Sequence, residues 1–224
     1  MKKSKPNNFK FYKMNESVII DRIILGEKEL YEILVKRNNQ KLYRVIRSYI
    51  KDSSEIEDIM QNTYLKAYEK LNQFKHASKF STWLIRIAIN ETIARLREKN
   101  KNDSQNNHSD FFGNNDLLEI PDENQLDPEK KIIGLEANQL LEYIVDSLDI
   151  KYRSVYVMKE IEKMTNIEIS ECLNLSDSNV KVRLHRAKKM LKEKFYEVTL
   201  GKDIFGFGYT ICDELTNKVM LHIL

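Results

Sequence analysis

The residues best equipped to hold a ligand lie between Ser178 and Lys194, a run with seven bases and one acid. At about 100° per residue on a helix, Val180, Leu184, Ala187 and Leu191 line one narrow apolar seam. Ser178, Lys181, Val182, His185, Arg186 and Lys189 fall on the opposite side, and Arg183 is counted with them. Five of those first six donate hydrogen bonds, which is what a helix needs to read base edges and hold phosphates in a major groove. Val182 suits contact with a thymine methyl. Upstream, Thr165 and Glu168 have capping-box spacing, Asn174 stands where the chain must turn, and Ser176 or Asp177 caps the next helix. Two short helices across so tight a turn predict a helix-turn-helix. A solvated basic helix closing a bundle is the plainer alternative, but cap, turn and phase all favour recognition.

A second set lies on the stretch Thr82–Arg97, expected to be a helix beginning after a Ser81 cap and running to about Glu98. Arg86, Asn90 and Arg97 fall within roughly 60° of Trp83, while Ile85, Ile89, Ile93 and Leu96 group well away from it. An indole beside a polar, basic stripe could stack bases and hold the phosphates of single-stranded DNA. Periodicity alone also fits a core tryptophan with solvated arginines.

Four helices are expected to position these two sets. Glu27–Ile50 and a helix from a Ser53 cap to about Leu71 form the first module together with the tryptophan helix. In the second of these, Ile56, Ile59, Met60, Tyr64, Ala67 and Tyr68 make one apolar stripe. Lys131–Leu148 and Ile150–Glu162 precede the helix-turn-helix. No stretch alternates with period two for long enough to predict a strand. With only 6 Gly and 3 Pro in 224 residues, a sandwich or barrel is excluded as well. The fold class expected is therefore all-α, two small helical domains joined by a flexible acidic linker.

The net charge of +3 hides a sharp division. Residues 1–101 hold 22 Lys/Arg against 12 Asp/Glu, a net of +10; residues 102–129 hold eight acids and no base, −8; residues 130–224 hold 15 bases and 14 acids, +1. Basic blocks on both sides of an acidic strap point to a polyanionic partner. The expected boundaries are 1–98, a linker at 99–128, a second domain at 129–198 and an extension at 199–224. Absence of a membrane-length apolar run or a signal peptide makes a cytoplasmic chain the expectation. Cys172 and Cys212 stand too far apart in sequence for a cysteine-only metal knuckle. The four histidines form no metal-binding or nucleophile motif, so neither an enzyme nor a cofactor is expected.

Two long stretches together resemble one family. Glu57-Asp-Ile-Met-Gln-Asn-Thr-Tyr-Leu-Lys-Ala-Tyr and Phe80-Ser-Thr-Trp-Leu-Ile-Arg-Ile-Ala-Ile-Asn are similar to region two of the sigma-70 family, most nearly its extracytoplasmic-function (group four) members. Leu148-Asp-Ile-Lys-Tyr-Arg-Ser-Val-Tyr-Val-Met-Lys-Glu-Ile-Glu, continuing through Val180-Lys-Val-Arg-Leu-His-Arg-Ala-Lys-Lys, resembles their region four. The resemblance implies a promoter-specificity subunit of RNA polymerase. Asp58, Gln61, Asn62 and Leu65 would meet the clamp of the large polymerase subunit. Lys79, Trp83, Arg86, Asn90 and Arg97 would open and hold the minus-ten element, and the helix from about Asp177 would read the minus-thirty-five element. An anti-sigma factor is a further expected partner, and membrane insertion is not expected. Asn62 stands where the family usually has Glu, Asn174 where it has a turn Gly, and Val182 where it has a small or polar residue.

A helix-turn-helix regulator that acts without polymerase is the main rival, and it leaves residues 53–98 unexplained. The end of the chain, from Gly201 to Leu224, is too apolar for a solvated tail. It fits either a short helix folded on the last domain or a docking site for a regulator, with Cys212 as a redox or metal group.

Overall fold

A computed structural model describes residues 14–103, 128–200 and 220. Among these residues every regular element is helical. Helix α1 (Glu16–Ile24) starts where the Asn15 side chain accepts the Ser17 N–H at 3.0 Å. It buries Ile19, Ile20 and Ile23, and its nine residues are too short to show a clear period in the sequence. Gly26, at φ +112°, makes the turn after it, a conformation closed to residues with a Cβ. The expected helix from Glu27 begins instead as a 3₁₀ turn (Lys28–Leu30), which passes into α2 (Tyr31–Arg47).

Helix α3 (Ser53–Glu69) is capped by Asp52, one residue before the expected Ser53; its carboxylate accepts the Glu55 N–H at 2.9 Å. Ile56, Ile59, Tyr64 and Ala67 are buried along it, as their spacing requires. Helix α4 (Phe80–Asp103) starts before the expected Ser81 cap and runs five residues past Glu98. Its first N–H, that of Phe80, is satisfied from outside the helix by Glu16 at 3.0 Å. A side chain 64 residues away therefore replaces the local cap.

The second module is α5 (Pro128–Asp146), α6 (Ile150–Tyr156, prolonged by a π turn at Val157–Ile161), α7 (Asn166–Leu173) and α8 (Asp177–Leu200). The capping box at α7 is complete. Thr165 Oγ1 accepts the Glu168 N–H at 3.2 Å, and Glu168 Oε2 accepts the Thr165 N–H at 2.7 Å. Asn174 ends α7 at φ 52°, ψ 50°, the left-handed turn its side chain tolerates. Ser176 settles the open choice of cap, with Oγ accepting the Asn179 N–H at 3.3 Å.

The modules are not independent bodies. Val155, Met158, Met164, Ile169, Cys172 and Val180 join the same buried core as α1–α4. Helix α7 packs against α4, and α2 meets the π turn. Of the expected linker, residues 104–127 lie outside the described residues, while 99–103 continue α4 and Pro128 begins α5; the extension after Leu200 also lies outside them, with the exception of Met220.

Candidate nucleic-acid interface

Helix α8 divides by phase as its sequence demands. Val180 and Ala187 are fully buried, and Leu184 and Leu191 are partly buried beside them. Ser178, Lys181, Val182, His185, Arg186 and Lys189 are all exposed on the other side, where α7 and the module's core do not cover them. Val182 is 48% exposed, an uncovered apolar group in the centre of that polar face. Lys181 pairs with Asp177 at 2.6 Å, and the cation compensates an acid placed at the helix N-terminus. Arg183 occupies the flank between seam and face. Its Nε donates to Asn179 Oδ1 at 3.0 Å, and its charge bears on the buried Tyr49 of the first module.

On α4, Ile85 and Ile89 are buried, Ile93 and Leu96 are partly buried, and Arg86, Asn90 and Arg97 are exposed on one stripe. Trp83 is neither fully buried nor fully exposed. Its ring packs on Phe74 and Phe80 (centroids 5.4 and 5.7 Å), yet it stays partly exposed at the edge of the stripe. Phe74 and Phe80 meet edge to face at 5.8 Å. This aromatic cluster anchors residues 74–80, which with Asn15 and Ser17 border an open cleft lined by His76, Ser78 and Lys79. Lys79 is exposed, and its ammonium lies 2.8 Å from Glu168 of α7, an ion pair that raises the lysine's pKa.

Asp58, Gln61, Asn62 and Leu65 are exposed at intervals of three and four on α3, so they form one stripe on the side away from the core. Leu65 is 55% exposed. Among the described residues no group of histidine, cysteine and carboxylate side chains is arranged to hold a metal. Burial pushes the Cys172 thiol up to about 12, which leaves it unreactive. Among those residues, too, no helix is long and apolar enough to cross a membrane.

Sequence reasoning missed the residues that hold the two modules together. Arg153 is 6% exposed; its Nε donates to the Ser48 carbonyl at 2.7 Å and its Nη1 to the Asp146 carbonyl at 2.9 Å. Arg47 clasps the Asp146 carboxylate with two bonds, at 3.1 and 2.9 Å. An arginine set among apolar residues was the one available signal.

Two helical modules, each offering an exposed basic stripe and one of them a helix-turn-helix, define a DNA-reading protein. The sigma-70 region 2 family matches residues 34–102, and sigma-70 region 4 matches residues 138–191. The ECF RNA polymerase sigma factor SigW of Bacillus subtilis is 31% identical over 182 residues, 80% of this chain and 96% of the relative. The ECF RNA polymerase sigma-E factor of Escherichia coli is 25% identical over 186 residues, 81% of this chain and 94% of the relative. Among solved structures, the sigma factor RpoE of Bartonella quintana in complex with the anti-sigma factor NepR shares the fold at a TM-score of 0.61 and 17% identity, covering 74% of this chain and 96% of that one. The chain belongs to the extracytoplasmic-function sigma factors of the sigma-70 family, promoter-specific initiation factors that bind RNA polymerase.

Proposed function

We propose that this chain divides promoter reading between its modules, as its family's two regions do. Residues 1–98 bind polymerase and the minus-ten element, residues 99–128 tether, residues 129–198 read the minus-thirty-five element, and residues 199–224 are an extension. In this reading Ser178, Lys181, Val182, His185, Arg186 and Lys189 enter the major groove, with Arg183 at the rim. Lys79, Trp83, Arg86, Asn90 and Arg97 hold the opened minus-ten strand. Asp58, Gln61, Asn62 and Leu65 meet the clamp of the large polymerase subunit. The chain is an initiation factor and not an enzyme; polymerase supplies the chemistry in the cytoplasm, and an anti-sigma factor restrains it. Tethering makes the second DNA contact effectively intramolecular, so each module can be weak alone.

The observation that carries this reading is the face of α8, where five hydrogen-bond donors surround one uncovered valine directly opposite a buried seam. Arg186→Ala is expected to weaken binding of holoenzyme to minus-thirty-five DNA by about 1–3 kcal/mol. Competition binding with promoter fragments measures this, and equal affinity of the two proteins would remove α8 from the groove.

A further inference from the structure

We propose that Asp177 and Lys181 act as one reader of a G·C pair in the minus-thirty-five element, with the carboxylate on the cytosine and the ammonium on the guanine. The pair reading rests on the proposed function, in which α8 lies in the major groove, and it names the base pair that the start of that helix selects.

Asp177 is the first residue of α8 and the only acid among its first 16 residues, 177–192. The N-terminal residues of a recognition helix are the ones that meet base edges. A carboxylate in that position accepts hydrogen bonds and donates none. Phosphate oxygens and the acceptors of guanine and thymine therefore give it no partner. In the major groove only the exocyclic amines of cytosine and adenine donate to it. The start of α8 does not need the carboxylate as a cap, because Ser176 Oγ already accepts the Asn179 N–H at 3.3 Å.

The Asp177 carboxylate and the Lys181 ammonium hold each other at 2.6 Å, yet their side chains are 47% and 64% exposed, so both ends of the pair are open to a ligand. The bond from Lys181 is the main influence keeping the Asp177 carboxyl below the usual carboxylate range, with support from Asn166 of α7 and Lys159 of the π turn. An acceptor and a donor are thus set side by side before DNA arrives, which spares part of the ordering cost on binding.

That arrangement fits one base pair better than the other. On the groove edge of G·C, guanine N7 and O6 lie together as two acceptors, and the cytosine N4 amine stands at the far end as the donor. Charges of the ion pair fall in the same order: Lys181 meets both guanine acceptors and Asp177 meets the amine. On A·T the adenine N6 amine stands between two acceptors, adenine N7 and thymine O4. A carboxylate reaching that amine is repelled from both sides, and one ammonium cannot serve two acceptors that the amine separates. An acid with no base partner would behave differently again, repelling phosphates and weakening every site alike.

Holoenzyme assembled from core polymerase and the full chain tests the pair reading on templates whose minus-thirty-five window is randomised. Sequencing the templates that support a start gives the base preference at each position for wild type, Asp177→Ala, Asp177→Asn and Arg186→Ala. Wild type is expected to prefer G·C over A·T at one position by about fivefold or more, the low end for a specific base contact. Asp177→Ala should lose that preference and keep the others. Asp177→Asn should move it toward A·T, because a side-chain amide bonds adenine N6 and N7 together. Preferences of Asp177→Ala equal to wild type at every position overturn the proposal. So does a uniform gain on all templates, the mark of an acid that only repelled phosphates, and so does the loss of a preference that was for A·T. Circular dichroism of the same proteins checks the helices; if Asp177→Ala loses them, Asp177→Asn, which keeps the side-chain shape, decides by whether its preference moves. Arg186→Ala separates this proposal from the reading beneath it. If that variant also leaves every preference unchanged, α8 is not in the groove and both fall; if it alters preferences while Asp177→Ala does not, only the pair reading falls.

Discussion

Asp146 gathers three cations from two modules, and its ionisation follows from that position. Burial pushes its carboxyl up, but the Arg47 clasp and the nearby Lys51 outweigh burial and hold it below the usual carboxylate range. A lowered folded value means that the pairing contributes fully above about pH 4 and is lost as pH falls through that lower value. Thermal melts between about pH 2.5 and 7 should show Asp146→Asn already less stable at neutral pH and with a shallower acid decline than wild type. Parallel curves would mean that Asp146 contributes no linkage. At this scale the sequence was partly legible. The Thr165–Glu168 box and the Asn174 turn were readable because the partners lie three residues apart or within one residue. The Arg47–Asp146 pair, 99 residues apart, had no local signature, and neither did Glu16 at the start of α4.

At the scale of elements, periodicity placed the interiors of the helices well and their ends poorly. The seam of α8 and the stripe of α3 emerged in the phase expected, because burial on one side is what produces a helical period. The ends moved wherever a tertiary contact replaced a local cap, as at Phe80, or where Asp52 preceded the expected serine. Trp83 was ambiguous in sequence for a sound reason: it is both packed on Phe74 and Phe80 and partly exposed beside Arg86. The exposed stripe of α3 gives a prediction of its own. Leu65→Glu should lose capture of polymerase core while its melting temperature stays close to wild type, because exposed substitutions usually change stability within about 0.5 kcal/mol. A pull-down beside a melt separates the two effects; full capture would move the core-binding surface elsewhere on the module.

For the whole molecule, the charge order along the chain reads as a basic first block, an acidic strap and a balanced last part with one basic helix, and it carries no sign that the modules share a buried core. Composition reports which partner a surface attracts, and it is silent on which of two apolar faces closes on the other. All of it presupposes that the protein starts transcription at chosen places. Purified chain, added to core polymerase on a library of promoter-bearing templates and followed by mapping of RNA 5′ ends, is the most direct measurement. The account predicts discrete start points that appear only when the chain is present, each preceded by shared minus-ten and minus-thirty-five sequences. RNA ends that are the same with and without the chain would contradict it.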